Sequence, residues 1–378
     1  MKKALYVITS PAHKRVFESF VERKDMEQIV IGPPPAKSKL VPEDYSDFKL
    51  KNIRYYKTKD QTKEINDLVA EFKPDIYVQA DLTNMHKRVE GNFKRVYVSH
   101  GMVGNHVKGI IKLAGFDTSV WKGMDLYCGA TQVFAEWVRH VAKVDDSKIL
   151  LNALPQFDII YNQEYFNSYK SKILAKTKHP TAKKVILFIG FCCRDRYDFN
   201  DHNEDYFRTA IALARQAEKE DWLVMIKPRQ VHKEMIQFLN THSWGKKYIN
   251  DYTALQNNKH IHFITAADAH IYRYYFADAF VMNGCSTAEV EVCAIQKPLF
   301  MVRTHIPALQ SGYDPYCTVK SDAAMGIPDT AELEHCLYEY FKDGKYHWPE
   351  NQSKLLENMK LSFDGKMHER VQERLLKL

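Results

Sequence analysis

Four short stretches combine chemically capable residues with one position, just past an apolar run of strand length. Tyr97-Val98-Ser99-His100-Gly101 sets a histidine and a glycine after such a run, and Gly104, Lys108 and Gly109 follow in a loop able to approach a phosphate. An imidazole titrates near neutrality, so His100 suits a general base that takes a proton from a hydroxyl. Gly190-Phe191-Cys192-Cys193-Arg194-Asp195-Arg196 offers two guanidinium groups that can clamp a diphosphate. Met225-Ile226-Lys227-Pro228-Arg229 again delivers cations past a strand end. The fourth stretch, Phe276 to Arg303, reads strand, tight turn, helix, strand: Ala279 to Met282, the break at Asn283-Gly284, a helix capped by Ser286 or Thr287, and Leu299 to Val302 after Lys297-Pro298. A glycine turn feeding a hydroxyl-capped helix concentrates N–H groups and positive dipole, which suits a phosphate. Glu289 or Glu291 on that helix is placed for a ribose hydroxyl. Each stretch has a plainer reading: a structural histidine, a solvated basic loop, a cap that only caps. The convergence of three such loops on one sheet edge points instead to a nucleotide-diphosphate site.

Other templates fail. The sequence has no GxxxxGKS/T, GxGxxG, HExxH or GxSxG. Asp81, Asp117 and Asp125 lack metal-ligand spacing and no CxxC pair exists, so no metal is assigned. At 378 residues two domains are expected, and 45% hydrophobic with 27% charged residues is ordinary for a globular chain. No apolar run approaches the roughly 18 residues of a membrane span. The start, MKKALYVITS, is too short in its apolar part for a signal peptide and reads as a first strand, so a cytoplasmic protein is expected. The seven cysteines suit that compartment as small buried hydrophobes. A net charge of +7 favours an anionic partner such as a nucleotide, a phosphate polymer or a membrane surface. The 22 tyrosines and 20 phenylalanines lie in apolar periodic segments, which reads as core and not as base stacking, so no nucleic-acid partner is expected.

These residues need a scaffold that brings strand ends together. Strand patterns at Lys3–Thr9, Glu27–Ile31, Ile53–Tyr56, Asp75–Gln79, Arg95–Ser99 and Met124–Cys128 alternate with helical ones at Lys14–Glu22, Thr62–Phe72 and Gln132–Val144. The rhythm resumes with VILFIG at Val185–Gly190, a helix over Glu204–Lys219, and strands at Trp222–Ile226 and His262–Ile264. Such alternation predicts an α/β fold of two doubly wound, Rossmann-like parallel sheets facing a cleft. The expected domains are 1–160 and 161–345, followed by a helical tail over 346–378. That tail is basic and amphipathic, with Lys354, Lys360 and Arg374 among Leu355, Leu361 and Leu375, and it either rests on anionic lipid or packs on protein.

Together the motifs resemble the CDP-glycerol glycerophosphotransferase family of teichoic-acid polymerases, primases and capsule transferases, which has a GT-B architecture. His100-Gly101 looks like the family's His-Gly, and Arg194-Asp195 like its Thr-x-Arg-Asp loop. Leu154-Pro155-Gln156-Phe157-Asp158 is similar to Gly-x-Pro-Arg-x-Asp, with Ala153 and Gln156 in place of the glycine and arginine. Lys227-Pro228 matches Lys-Pro-His except that Arg229 replaces the histidine. Gly284-Cys285-Ser286-Thr287 with Glu291 resembles Asp-Tyr-Ser-Ser with its downstream acid, and Lys297-Pro298 and Asp364-Gly365-Lys366…Arg370-Val371 complete the series.

The resemblance implies a donor domain built on Arg194, Lys227, Arg229, Gly284, Ser286, Thr287 and Glu291, and an acceptor domain in which Gly101 and Lys108 flank the base His100. Arg229 cannot titrate, so a proton-transfer role at that position is lost while phosphate binding is kept. The expected reaction moves a glycerol- or ribitol-phosphate unit from a CDP-linked donor to a hydroxyl of a polymer or lipid-linked acceptor, at the inner face of the membrane. The nucleotide is a substrate, and no cofactor is assigned. A GT-B glycosyltransferase with a CMP-, CDP- or UDP-linked sugar is the first alternative, since fold alone does not fix the group transferred. A non-catalytic polyanion-binding protein is the second.

Overall fold

The computed structural model describes residues 1–35, 45–81, 86–102, 118–190, 200–228, 232–264, 271–284, 286–302, 316 and 318–378. Among them, contacts group Met1–Asn162 with Glu357–Leu378 as one unit and Gln163–Leu356 as a second.

In unit 1 the apolar runs form β1 (Lys2–Val7), β2 (Met26–Gly32), β3 (Ile53–Tyr55), β4 (Ile76–Gln79), β5 (Lys94–Val98), β6 (Leu126–Cys128) and β7 (Ile149–Leu150). Their order is β3-β2-β1-β4-β5-β6-β7 and every pairing is parallel. Alternate residues face opposite layers: Ala4 and Tyr6 join one apolar cluster with Val78 and Val96, while Leu5 and Val7 join another with Ile65, Leu68 and Tyr77. The helix Gln61–Phe72 that covers this second face is bounded chemically. The Asp60 side chain accepts from Lys63 N at its start, and Lys73 in the left-handed region closes its end.

Unit 2 repeats the plan with β8 (Val185–Ile189), β9 (Leu223–Lys227), β10 (Ile261–Phe263), β11 (Ala279–Met282), β12 (Leu299–Val302) and β13 (Met325–Ile327). The order is β10-β9-β8-β11-β12-β13, again parallel throughout. The edge strand β13 and the helix His232–Thr241 were not among the sequence expectations. Strand order reverses once in each sheet, between β1 and β4 in unit 1 and between β8 and β11 in unit 2. Ligands of open α/β sheets bind at such reversals, beyond the carboxyl ends of the strands.

The tail belongs to both units, not to a piece of its own. In the helix Pro349–Asn358, Gln352 donates to Lys297 O and Ala323 O at 2.7 and 3.1 Å, within unit 2. The helix Met367–Leu376 packs on unit 1, where Val371 and Leu375 enter the cluster of Ala4 and Tyr6. Its apolar face is therefore covered by protein. Among the described residues no helix is long and apolar enough to cross a membrane.

Candidate functional site

In unit 1 the reversal lies beside His100. β5 ends at Val98, and the His100 ring turns toward the end of β4, with Nδ1 2.8 Å from Ala80 O. A carbonyl only accepts, so Nδ1 carries the ring proton and Nε2 keeps a lone pair. Arg15 donates to His100 O at 3.0 Å and Ser99 Oγ to Gly101 O at 2.7 Å, which fixes the backbone on both sides of the ring. Lys108 lies outside the described residues.

The structure adds a second imidazole that sequence reasoning missed. His13 sits on the helix Pro11–Phe17 that follows β1, with its ring centroid 4.7 Å from that of His100 and its Nδ1 2.9 Å from Thr9 Oγ1. Burial pushes the His13 pKa down to about 3, and the neighbouring His100 and Arg15 act in the same direction. Burial also lowers His100, against the opposing pull of the Ala80 carbonyl, while Arg15 lowers it further and Asp81 raises it. The pair is thus held neutral at physiological pH, the state a proton acceptor needs. The signal was available in the sequence, where His13 follows the apolar run of MKKALYVITS as His100 follows Tyr97-Val98.

In unit 2 the neighbours β9, β8 and β11 run parallel, so the segments after them leave from one edge. Gly190, just past β8, donates its N–H to Lys227 O at 2.9 Å. A Cβ there would lie 2.1 Å from the Tyr206 ring, so only glycine lets the strand end approach that ring. Lys227 ends β9, while Arg194, Arg229 and Cys285 lie outside the described residues. After β11 come buried Asn283 and then Gly284. Ser286 accepts from Ala288 N at 3.0 Å through its hydroxyl, and its own N–H donates to Glu289 Oε1 at 3.1 Å. This reciprocal capping box opens the helix Ala288–Ala294, with Thr287 at the boundary. Glu289 also accepts from Thr318 Oγ1 at 2.7 Å. Glu291 is buried, accepting from Tyr272 Oη at 3.0 Å and from Tyr275 Oη. At the positions expected to touch a donor, Ser286 and Glu291 therefore already have internal partners.

Asp158 has a structural assignment. Its carboxylate accepts from Met367 N at 2.9 Å, His368 N at 2.7 Å and His368 Nδ1 at 2.7 Å. The Leu154–Asp158 segment and the tail motif thus meet as a helix cap.

No family model and no curated protein sequence matches the chain. Solved structures do. The wall teichoic acid polymerase TagF, in a variant soaked with CDPG, superposes with a TM-score of 0.65 at 14% identity, covering 100% of this chain and 88% of that one. A UDP-GlcNAc 2-epimerase from Methanocaldococcus jannaschii, in complex with UDP-GlcNAc and UDP, gives 0.60 at 14% identity with 100% of both chains covered. The S. aureus MnaA–UDP structure gives 0.60 at 14% identity, over 98% of this chain and 95% of that one. At such identities the likeness is one of fold, the GT-B-like pairing of two parallel α/β sheets.

Proposed function

We propose that this chain is a GT-B transferase that moves a glycerol- or ribitol-phosphate unit from a CDP-linked donor to an acceptor hydroxyl, with His100 as general base. The observation that carries the reading is the His100 tautomer: Nδ1–H is committed to Ala80 O at the strand-order reversal of unit 1, which leaves Nε2 to accept a proton. The acceptor oxygen attacks the phosphorus bearing the polyol, the bond from that phosphorus to the CMP oxygen breaks, and the hydroxyl proton passes to Nε2. Burial and Arg15 favour the neutral ring before the reaction. Gly101 and Lys108 flank the acceptor.

Unit 2 holds the donor in this reading. Lys227, Arg194 and Arg229 balance the diphosphate, and the backbone of Gly284, Ser286 and Thr287 lies against it. Glu291 acts by bracing that turn through Tyr272 and Tyr275. A polymer or lipid-linked acceptor places the enzyme at the cytoplasmic face of the membrane, where a net charge of +7 favours anionic headgroups.

A second reading, a UDP-sugar enzyme, draws on the UDP-bound structures of the same fold. Titration calorimetry with CMP, CDP, UDP and ADP distinguishes the two. Cytidine nucleotides should bind more tightly than the others. Tighter uridine binding would favour the second reading, and no binding by any of them up to about 1 mM, a free energy near −4 kcal/mol, would overturn both.

A further inference from the structure

The amino edge of the unit 2 sheet gathers a cluster that the proposed transfer does not use. β8, β9 and β10 lie side by side, so the residues entering them emerge together, at the edge opposite Lys227 and Gly190. His179 precedes β8, Asp221 precedes β9 and His260 directly precedes β10. One ligand-type atom from each lies within 4.8 Å of the other two. Topology thus assembles three metal-ligating side chains from segments far apart in sequence.

The hydrogen bond of His260 fixes which of its ring nitrogens keeps a lone pair. His260 Nδ1 is 2.9 Å from Trp222 O, which can only accept, so Nδ1 carries the proton and Nε2 has the lone pair. A backbone carbonyl on the far nitrogen is the usual support of a metal-bound imidazole. His179 is 8% exposed, and its Nε2 lies 3.0 Å from Asp221 Oδ1. That approach is not aligned as a hydrogen bond, so among the described residues this buried nitrogen has no hydrogen-bond partner. The two rings meet edge to face, with centroids 4.8 Å apart. The Asp221 peptide is held by Lys183 N donating to Asp221 O at 3.3 Å.

We propose that His179, Asp221 and His260 bind one divalent transition-metal ion of the zinc class. Two neutral imidazoles and one carboxylate suit zinc, cobalt or nickel, whereas magnesium and calcium prefer all-oxygen shells. Three protein ligands leave a fourth position for water. At the amino edge the ion fastens the starts of three adjacent strands, on the sheet whose opposite edge carries the donor loops. Its role is therefore stabilisation of unit 2, and it stands apart from the transfer chemistry.

The test uses the full chain, freed of metal by a chelator that is then removed, and titrated by calorimetry with zinc sulfate. Cobalt(II) absorption reports coordination, and magnesium chloride is the control. One zinc per chain should bind, and saturation should raise the melting temperature by on the order of 5 °C. Cobalt(II) should give the intense visible bands of four- or five-coordination. Asp221→Asn keeps a residue that tolerates the observed φ of 58° and should weaken zinc binding by at least about tenfold. His260→Gln should abolish the stoichiometric site. Absence of binding in the wild type at about 1 mM zinc overturns the proposal, as does stoichiometric binding that survives both substitutions. These readouts involve no nucleotide, so their outcome is independent of the transferase reading.

Discussion

Replacing His13 by glutamine should flatten the acid limb of the stability curve. The buried His13 ring titrates at about 3 in the folded chain, against about 6.5 for an exposed histidine in the unfolded one. The folded state therefore binds fewer protons than the unfolded state between those values. The stability linked to this ring is complete above pH 6.5 and is lost as pH falls, until the folded ring itself protonates near 3. Inside that window each pH unit is worth about 1.4 kcal/mol, so between pH 7 and pH 5 His13 alone removes about 2 kcal/mol. With His13 7% exposed, little solvent screening reduces this figure. His100, lowered in the same direction, steepens the wild-type curve further. Glutamine preserves polar contact with Thr9 Oγ1 without titrating. Urea unfolding at pH 7 and pH 5, at matched ionic strength, measures the effect, with amide exchange along β1 and β4 isolating unit 1. Carboxylates titrate in both proteins and cancel in the comparison. The wild type should lose about 2 kcal/mol more than His13→Gln. Equal losses would refute the claim that burial keeps this imidazole neutral.

Asp158→Ala should destabilise unit 1 by about 3–5 kcal/mol, because it strips Met367 N, His368 N and the His368 ring of a buried acceptor. Thermal unfolding combined with amide exchange in the helix Met367–Leu376 reads it, and a loss below about 1 kcal/mol would contradict the capping role. Gly190→Ala should cost about 1–3 kcal/mol by driving a methyl group into the Tyr206 ring, and should weaken nucleotide binding by displacing the end of β8. Melting temperature and calorimetry on one preparation check both effects, and an unstrained variant of wild-type affinity would count against the close approach.

The parallel α/β plan was legible because each buried strand is a continuous apolar run, such as Val185–Ile189, bounded by turn residues and followed by a helical period. The edge strand Met325-Gly326-Ile327 has no such run and is held by its pairing with β12. Strand order is a tertiary property, so no local pattern could reveal that β9, β8 and β11 are neighbours or where the order reverses. The cap at Ser286 was readable, while its reciprocal partner Glu289 stood in plain view as Ser-x-x-Glu and was considered only for ribose. Glu291 was read as a ligand acid from its place on the helix, whereas its hydrogen-bond partners Tyr272 and Tyr275 come from a separate segment that no local spacing ties to it. His179, Asp221 and His260 share no short spacing, since each enters a different strand.

The rate of CMP release from CDP-glycerol by His100→Ala, set against the wild type, tests the transferase reading most directly. Melting temperature and nucleotide affinity belong on the same preparation, because Lys227 and Gly284 lie in the other unit and donor binding should survive the change. The account predicts a fall in rate of roughly 10²–10⁴ with both of those nearly unchanged, the usual worth of a general base. A variant that retains most of its activity would contradict it and remove His100 from the mechanism.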